Sequence, residues 1–334
     1  HGDWVRSVCF ALDGRVLVSC SDDQTIKLWD LHDEDAEQEF ACLTEHSSRI
    51  KAIASNTDQT IIASASDDGT IRLWLLTPSS VSSGDTAFPA SATITVQPLR
   101  TLQVRPQVRF VTFHPTQPHI LASSSEDQII RLWDINTGFS IKEFAHNAWV
   151  RSLSFSRDGR YLASGGDDAQ VRIWDIESGV CAKRLLGHRS RNWCVAFSQD
   201  GQTLVSGSDS QALKFWDAAQ EKCIKTLQGY TRGVRTLAFH PTQPWIVSGG
   251  DDRVVRLWAL PLQTQTQKDA GQQTNFEQHS ALHPDPEALC LKEFQGHEGR
   301  IWSVAIHPDA DHKWIASASD DDTVRLWNLD TGYC

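Results

Sequence analysis

Apolar and polar residues alternate with period two in short runs along the chain. VRSVCF (5–10) and VRTLAF (234–239) are examples, and the alternation predicts half-buried β-strands. A turn such as LDG (12–14) or RDG (157–159) follows. Next comes a short apolar run closing on serine: VLVS (16–19), YLAS (161–164), TLVS (203–206). An Asp-rich turn then leads to a third run, TIKLW (25–29). A fourth and weaker run, CAKRLL (181–186) or CIKTLQ (223–228), leads to a histidine or tyrosine, where the pattern restarts. The unit is therefore a meander of four short antiparallel strands.

The unit recurs. The opening HGDWVRSVCF returns as HNAWVRSLSF (146–155), YTRGVRTLAF (230–239) and HEGRIWSVAI (297–306). The third run carries Trp29, Trp74, Trp133, Trp174, Trp216, Trp258 and Trp327, at spacings of 45, 59, 41, 42, 42 and 69. The two long spacings are the same period enlarged by insertions at 75–98 and 259–287, both rich in Ser, Thr, Gln and Pro, as in flexible loops. Seven such meanders predict an all-β fold, a seven-bladed β-propeller of four-stranded blades forming one domain over 1–334.

The chain resembles the WD-repeat (WD40) family over nearly its whole length outside the insertions. The resemblance implies a hydrogen-bonded tetrad in each blade: the third-strand Trp, a Ser on the second strand, an Asp in the turn between them, and the His before the first strand. Ten residues before each Trp stand Ser19, Ser64, Ser123, Ser164, Ser206, Ser248 and Ser317. Six before stand Asp23, Asp68, Asp127, Asp168, Asp252 and Asp321, with Ser210 in the fifth repeat. The histidines are His1, His46, His146, His188 and His297, with Val104 and Tyr230 in the third and sixth repeats. Full tetrads are expected in repeats one, two, four and seven, and looser blades elsewhere. The network satisfies the buried indole N–H, so these His/Asp/Ser sets are read as structural, not as catalytic triads.

Cys334 aligns with Cys181 and Cys223, each seven residues after its Trp, so the last blade is expected to lack its outer strand in this chain. The absence of methionine and the start at a tetrad histidine suggest a piece of a longer protein. The resemblance extends to repeat arrays at the C-terminus of bacterial signalling proteins, which implies an upstream nucleotide-binding domain as a possible neighbour. Eight cysteines with no CxxC are read as reduced, packed thiols of a cytoplasmic protein. The net charge of −11 argues against whole-surface attraction to nucleic acid or anionic membrane. No apolar run approaches membrane-spanning length. No nucleophile elbow, phosphate loop or metal constellation is present, His279 and His283 in HSALH having no third ligand. No enzyme activity, cofactor or metal is therefore expected.

The residues flanking the first inward apolar residue of each repeat remain. They are Trp4/Arg6, Arg49/Lys51, Gln107/Arg109, Trp149/Arg151, Arg191/Trp193, Gly233/Arg235 and Arg300/Trp302. Eight of the fourteen are basic and four are Trp, a concentration suited to holding anionic groups and to interface hot spots. By resemblance they lie on the top face around the central channel. An acidic set precedes the tetrad position: Asp22, Asp67, Glu126, Asp167, Asp209, Asp251 and Asp320. The basic ring therefore either meets a partner or pairs with this acidic ring. The expected function is a non-enzymatic interaction or sensor module binding a peptide, protein or anionic ligand. The alternatives are a scaffold without a top-face ligand and nucleic-acid binding through the Arg/Trp ring. Glu substitutions at Arg151 and Arg235 are expected to abolish partner capture without affecting folding.

Overall fold

A computed structural model describes residues 1–31, 39–78, 93–260, 290–309 and 313–334. They form seven antiparallel sheets, six of four strands and a last one of three. The first blade shows the plan: Val5–Ala11, Val16–Ser21, Ile26–Asp30 and Glu39–Leu43, paired in chain order. The innermost strands of the other blades are Ile50–Ser55, Val108–Phe113, Val150–Phe155, Asn192–Phe197, Val234–Phe239 and Ile301–Ile306.

The core lies between blades. Seven apolar clusters alternate with the seven sheets, each joining the second and third strands of one blade to the first and second strands of the next. This explains why the second strand is apolar or small at every position: Val16–Ser21 is wholly buried because both of its faces meet a neighbouring blade. Glycine appears there where the next blade comes closest. A Cβ on Gly207 would sit 2.6 Å from Cys194 Sγ and 3.0 Å from Val234.

The ring closes through side chains. Val5, Val8, Phe10 and Leu17 of the first blade pack on Ala316 and Ala318 of the last. Val8 N–H donates to Ser303 Oγ (3.3 Å), repeating the bonds Val195 N to Ser152 Oγ (3.2 Å) and Val304 N to Thr236 Oγ1 (3.1 Å) at interior joints.

Two expectations are corrected. The 75–98 insertion is not loop throughout. Its flanks prolong two strands, Thr70–Pro78 and Ile94–Gln103, with Leu76 opposite Val96 and Pro78 opposite Ile94. Leu76 and Ile94 are buried against Leu12, Ile53 and Ile62, which gives the extension a core of its own. Residues 79–92 and 261–289, including His279 and His283, lie outside the described residues. The cysteines divide: Cys20 and Cys194 are buried and Cys9, Cys181 and Cys223 half-buried, but Cys42, Cys290 and Cys334 are exposed. Burial pushes the thiols of Cys9 and Cys194 up to about 12, which makes them poor nucleophiles.

Candidate functional site

In every blade the indole N–H of the third-strand Trp donates to the second-strand Ser, at 2.7 to 3.1 Å. In blades one, two and seven the tetrad is complete. His1, His46 and His297 lie 2.8, 2.8 and 2.7 Å from Ser19, Ser64 and Ser317 through Nε2. Their Nδ1 atoms lie 2.9, 2.7 and 2.7 Å from Asp23, Asp68 and Asp321. Burial opposes ionisation of Asp68, but the hydrogen bonds from His46 and Thr70 outweigh it and hold the carboxyl well below the usual range. The balance is the same at Asp321, where Thr323 and His297 hold it at about 2.

The fourth blade departs from expectation. Trp174 donates to Ser164 at 2.8 Å, but His146 and Asp168 do not meet. Arg172 stands between them, with Nη1 2.7 Å from His146 Nδ1 and Nη2 2.7 Å from Asp168 Oδ2. The residue four before the Trp decides this. It is Thr25, Thr70 or Thr323 in the complete blades, donating to the Asp at 2.7, 2.6 and 2.5 Å. In blades three, four and six it is Ile129, Gln170 or Val254, and there the third-strand arginine takes the Asp instead: Arg131–Asp127 at 2.6 Å, Arg172–Asp168 and Arg256–Asp252 at 2.5 Å. Where the tetrad histidine is replaced, Tyr230 bonds Ser248 at 2.6 Å and Val104 is buried. His188 of blade five keeps Ser206 at 2.7 Å, with Ser210 at 3.4 Å.

On the channel side of the same turns, seven β-bulges shape the channel mouth. Val5 pairs with Ser21 and Ser7 with Cys20, so Arg6 is the extra residue, without a ladder partner. The same shift falls at Lys51, Arg109, Arg151, Trp193, Arg235 and Trp302. A bulge re-aims its side chain, here toward the channel axis. The second member of every flanking pair is therefore an inner ring, and the first member is an outer rim.

The inner ring meets the acidic ring. Arg6 holds Asp22 through Nε (2.9 Å) and Nη2 (2.5 Å), Arg151 holds Asp167 (2.8 and 2.8 Å), and Arg235 holds Asp251 (2.7 and 2.6 Å). Lys51 Nζ sits 2.9 Å from Asp22 and 3.4 Å from Asp67. Arg109 bonds Glu126, Trp193 Nε1 donates to Asp209 (2.7 Å), and Trp302 Nε1 donates to Asp320. Burial works against the Asp22 charge, yet Arg6 and Lys51 together keep its carboxyl below the usual range. Asp320, whose hydrogen-bond partner is an indole, has its pKa raised by burial.

Indoles and guanidinium groups also stack in one arc. Arg6 lies 4.7 Å from the Trp4 ring and 4.6 Å from Trp302; Arg235 lies 5.5 Å from Trp302 and 3.9 Å from Trp193; Arg151 lies 4.8 Å from Trp193 and 5.3 Å from Trp149. Below the arc the channel encloses about 620 Å³. The rim is open: Trp4 and Trp149 are 41% and 40% exposed, and Arg49, Arg191 and Arg300 are exposed. Arg49 and Arg300 come no nearer than 4.0 and 3.8 Å to a carboxylate.

Comparison with known proteins agrees with this architecture. A family model described as "IFT122 first beta-propeller" matches residues 4–291, and one described as "WD domain, G-beta repeat" matches 288–328. The chain belongs to the WD-repeat β-propeller family. WD-repeat propellers are in general non-catalytic interaction folds. A nuclear distribution protein PAC1 of Arthroderma benhamiae is 30% identical over 171 residues, 48% of this chain and 33% of that protein. A coronin-like protein of Saccharomyces cerevisiae is 43% identical over 56 residues, 17% of this chain and 9% of that protein. The ribosome biogenesis protein erb1 of Aspergillus clavatus is 49% identical over 51 residues, 15% of this chain and 6% of that protein. The chain thus spans a third or less of the length of these curated relatives.

The propeller also contains a buried polar residue absent from the expectations. Asn192 stands where the other WD repeats have Val or Ile, is fully buried, and neither its Oδ1 nor its Nδ2 has a hydrogen-bond partner. The signal was visible as the one polar residue in that column of the repeat. No group of three or more His, Cys, Asp or Glu side chains able to hold a metal occurs among the described residues.

Proposed function

We propose that this propeller is a protein-interaction module whose partner docks on the rim of the top face, over Trp4, Arg49, Trp149, Arg191 and Arg300. The supporting observation is the division of the top face. The bulged inner ring is committed to carboxylates and indoles, while the rim leaves two half-exposed indoles and three exposed guanidinium groups facing solvent. Trp and Arg are the residue types that dominate interface hot spots, and truncating such an anchor costs about 2 kcal/mol or more. The mechanism is recognition of a peptide or protein surface, with no chemistry. The propeller serves a larger cytoplasmic signalling protein, an upstream nucleotide-binding domain being the expected neighbour, in keeping with the small share of its relatives that it spans. A nucleic-acid partner is disfavoured, because seven carboxylates stand among the eight top-face cations.

The test is quantitative co-purification from the native host with the wild type and a Trp4→Ala/Trp149→Ala/Arg191→Glu variant. All three positions lie outside the ion-pair network, but Trp4 and Trp149 stack on Arg6 and Arg151, so capture is compared only after both proteins are shown to be folded by their melting profiles. Loss of the captured protein supports rim docking. Equal capture by both proteins overturns it, and nuclease-sensitive capture transfers the site to nucleic acid.

A further inference from the structure

The residues lining the channel include Arg6, Arg49, Lys51, Arg109, Arg151 and Arg235, and no carboxylate. The acids of the ring stand behind Arg6, Lys51, Arg109, Arg151, Arg235 and the indoles of Trp193 and Trp302. Three of the arginines share one geometry. Arg6, Arg151 and Arg235 each bind their aspartate through Nε and Nη2, which leaves Nη1 as the free edge. At Arg235 that atom is buried and makes no hydrogen bond, although Asp209 Oδ1 is 3.3 Å away. Arg109 Nε is a second buried guanidinium N–H without a hydrogen-bond partner. The guanidinium carbons of Arg6, Arg151 and Arg235 each lie over two indole rings, at 3.9 to 5.5 Å from the centroids.

A guanidinium fixed on one edge by a carboxylate and packed against two indoles has little rotamer freedom left to lose. Its remaining N–H edge is pre-organised. Each Arg–Asp pair is also a dipole with its positive end toward the channel, and several such dipoles converging on one volume attract negative charge even when the ring is nearly neutral overall. The 620 Å³ enclosed there suits a small molecule, not a single ion.

We propose that the mouth of the channel binds a small polyvalent oxyanion, a polyphosphate or a polycarboxylate, through the inward guanidinium edges of Arg6, Arg151 and Arg235, with Lys51 and Arg109 completing the positive wall. This goes beyond docking on the rim and does not depend on it.

The test is calorimetric titration of the chain with inorganic pyrophosphate and, separately, citrate at low ionic strength, up to about 10 mM. Quenching of tryptophan fluorescence, to which Trp193 and Trp302 contribute, gives a second readout. The wild type gives saturable binding. Arg235→Gln weakens it about tenfold or more, because a charge-assisted donor is lost, whereas Arg191→Gln on the rim changes it less than about twofold. Tighter binding of pyrophosphate assigns the site to phosphorylated ligands, and tighter citrate binding to carboxylates. Arg235→Gln leaves Asp251 without its main partner. The double variant Arg235→Gln/Asp251→Asn, which removes both charges, therefore keeps the test available should the single variant fail to fold. Absence of saturable binding to the wild type overturns the proposal. So does binding that Arg191→Gln weakens as much as Arg235→Gln does. Either outcome leaves the rim test untouched.

Discussion

His188 is a buried histidine with no carboxylate partner among the described residues, and it makes stability sensitive to pH in a calculable way. It occupies the tetrad position of the fifth blade, 2.7 Å from Ser206, but Ser210 stands where other blades carry Asp. Burial, with a smaller contribution from the charge of Lys214, lowers its pKa from 6.5 to about 4. The unfolded chain takes up this proton near pH 6.5 and the native chain only near pH 4. The unfolded state therefore binds more protons between those values, and stability falls as pH drops through them. At about 1.4 kcal/mol per unit the whole window is worth about 3 kcal/mol, of which about 2 kcal/mol is lost by about pH 5. His146, also held at about 4 by burial and then by Arg172, adds a loss of the same sign. The perturbation that isolates His188 is His188→Tyr, because blade six already uses Tyr230 on Ser248 in this position. Unfolding by urea, followed by tryptophan fluorescence between about pH 7.5 and about pH 5, should show the variant losing about 2 kcal/mol less than the wild type over that range. Parallel pH profiles for the two proteins would refute the reasoning.

The other predictions concern single buried groups and the top face. Asn192→Val replaces an unpaired amide by the residue type of the other blades, and should raise stability by about 1–3 kcal/mol in urea melts; an unchanged or lower midpoint would mean that the amide has a partner in solution. Ser64→Ala removes the hydroxyl that accepts from Trp74 Nε1 and bonds His46 Nε2 at the centre of a complete tetrad, and should lower stability by about 1–3 kcal/mol with a red-shifted tryptophan emission. The rim variant should lose partner capture while remaining folded, and Arg235→Gln should weaken pyrophosphate or citrate binding where Arg191→Gln does not.

Much of this was legible before any coordinates. The period of the Trp-bearing strand identified the seven blades, and the Ser ten residues earlier marked the indole acceptor in all of them. The fourth-blade network was misread because His146, Ser164, Asp168 and Trp174 are all present; the deciding residue is Gln170, a position the His/Ser/Asp/Trp pattern ignores. Where Thr stands there, its hydroxyl pins the aspartate toward the histidine. Where it does not, the carboxylate is left without that hydroxyl and the third-strand arginine takes it by a charge-assisted bond. The belt of cations and indoles was visible in the repeat, but alternation alone treats both flanks of Val5 alike. The bulge that separates Arg6 from Trp4 leaves no mark in hydrophobic period, since it inserts one residue without changing residue type. It also alters the substitutions worth making. Glutamate at Arg151 or Arg235 would face Asp167 or Asp251, so the folding-neutral outcome expected from sequence does not fit the geometry. The extension of the second blade was hidden by Pro98 and by the Ser-rich stretch it flanks, although Leu76 and Val96 already supplied two facing apolar residues.

Site-specific photo-crosslinking decides most directly whether the top rim meets a partner. A benzophenone side chain placed at Trp149 reports on the rim. The same group at Arg157, in the exposed turn at the opposite end of the inner strand of that blade, reports on the bottom face. Covalent adducts formed in the native host from position 149 and not from position 157 are the predicted result. Adducts from position 157 alone, or equal labelling from both, would contradict the assignment of function to the top face.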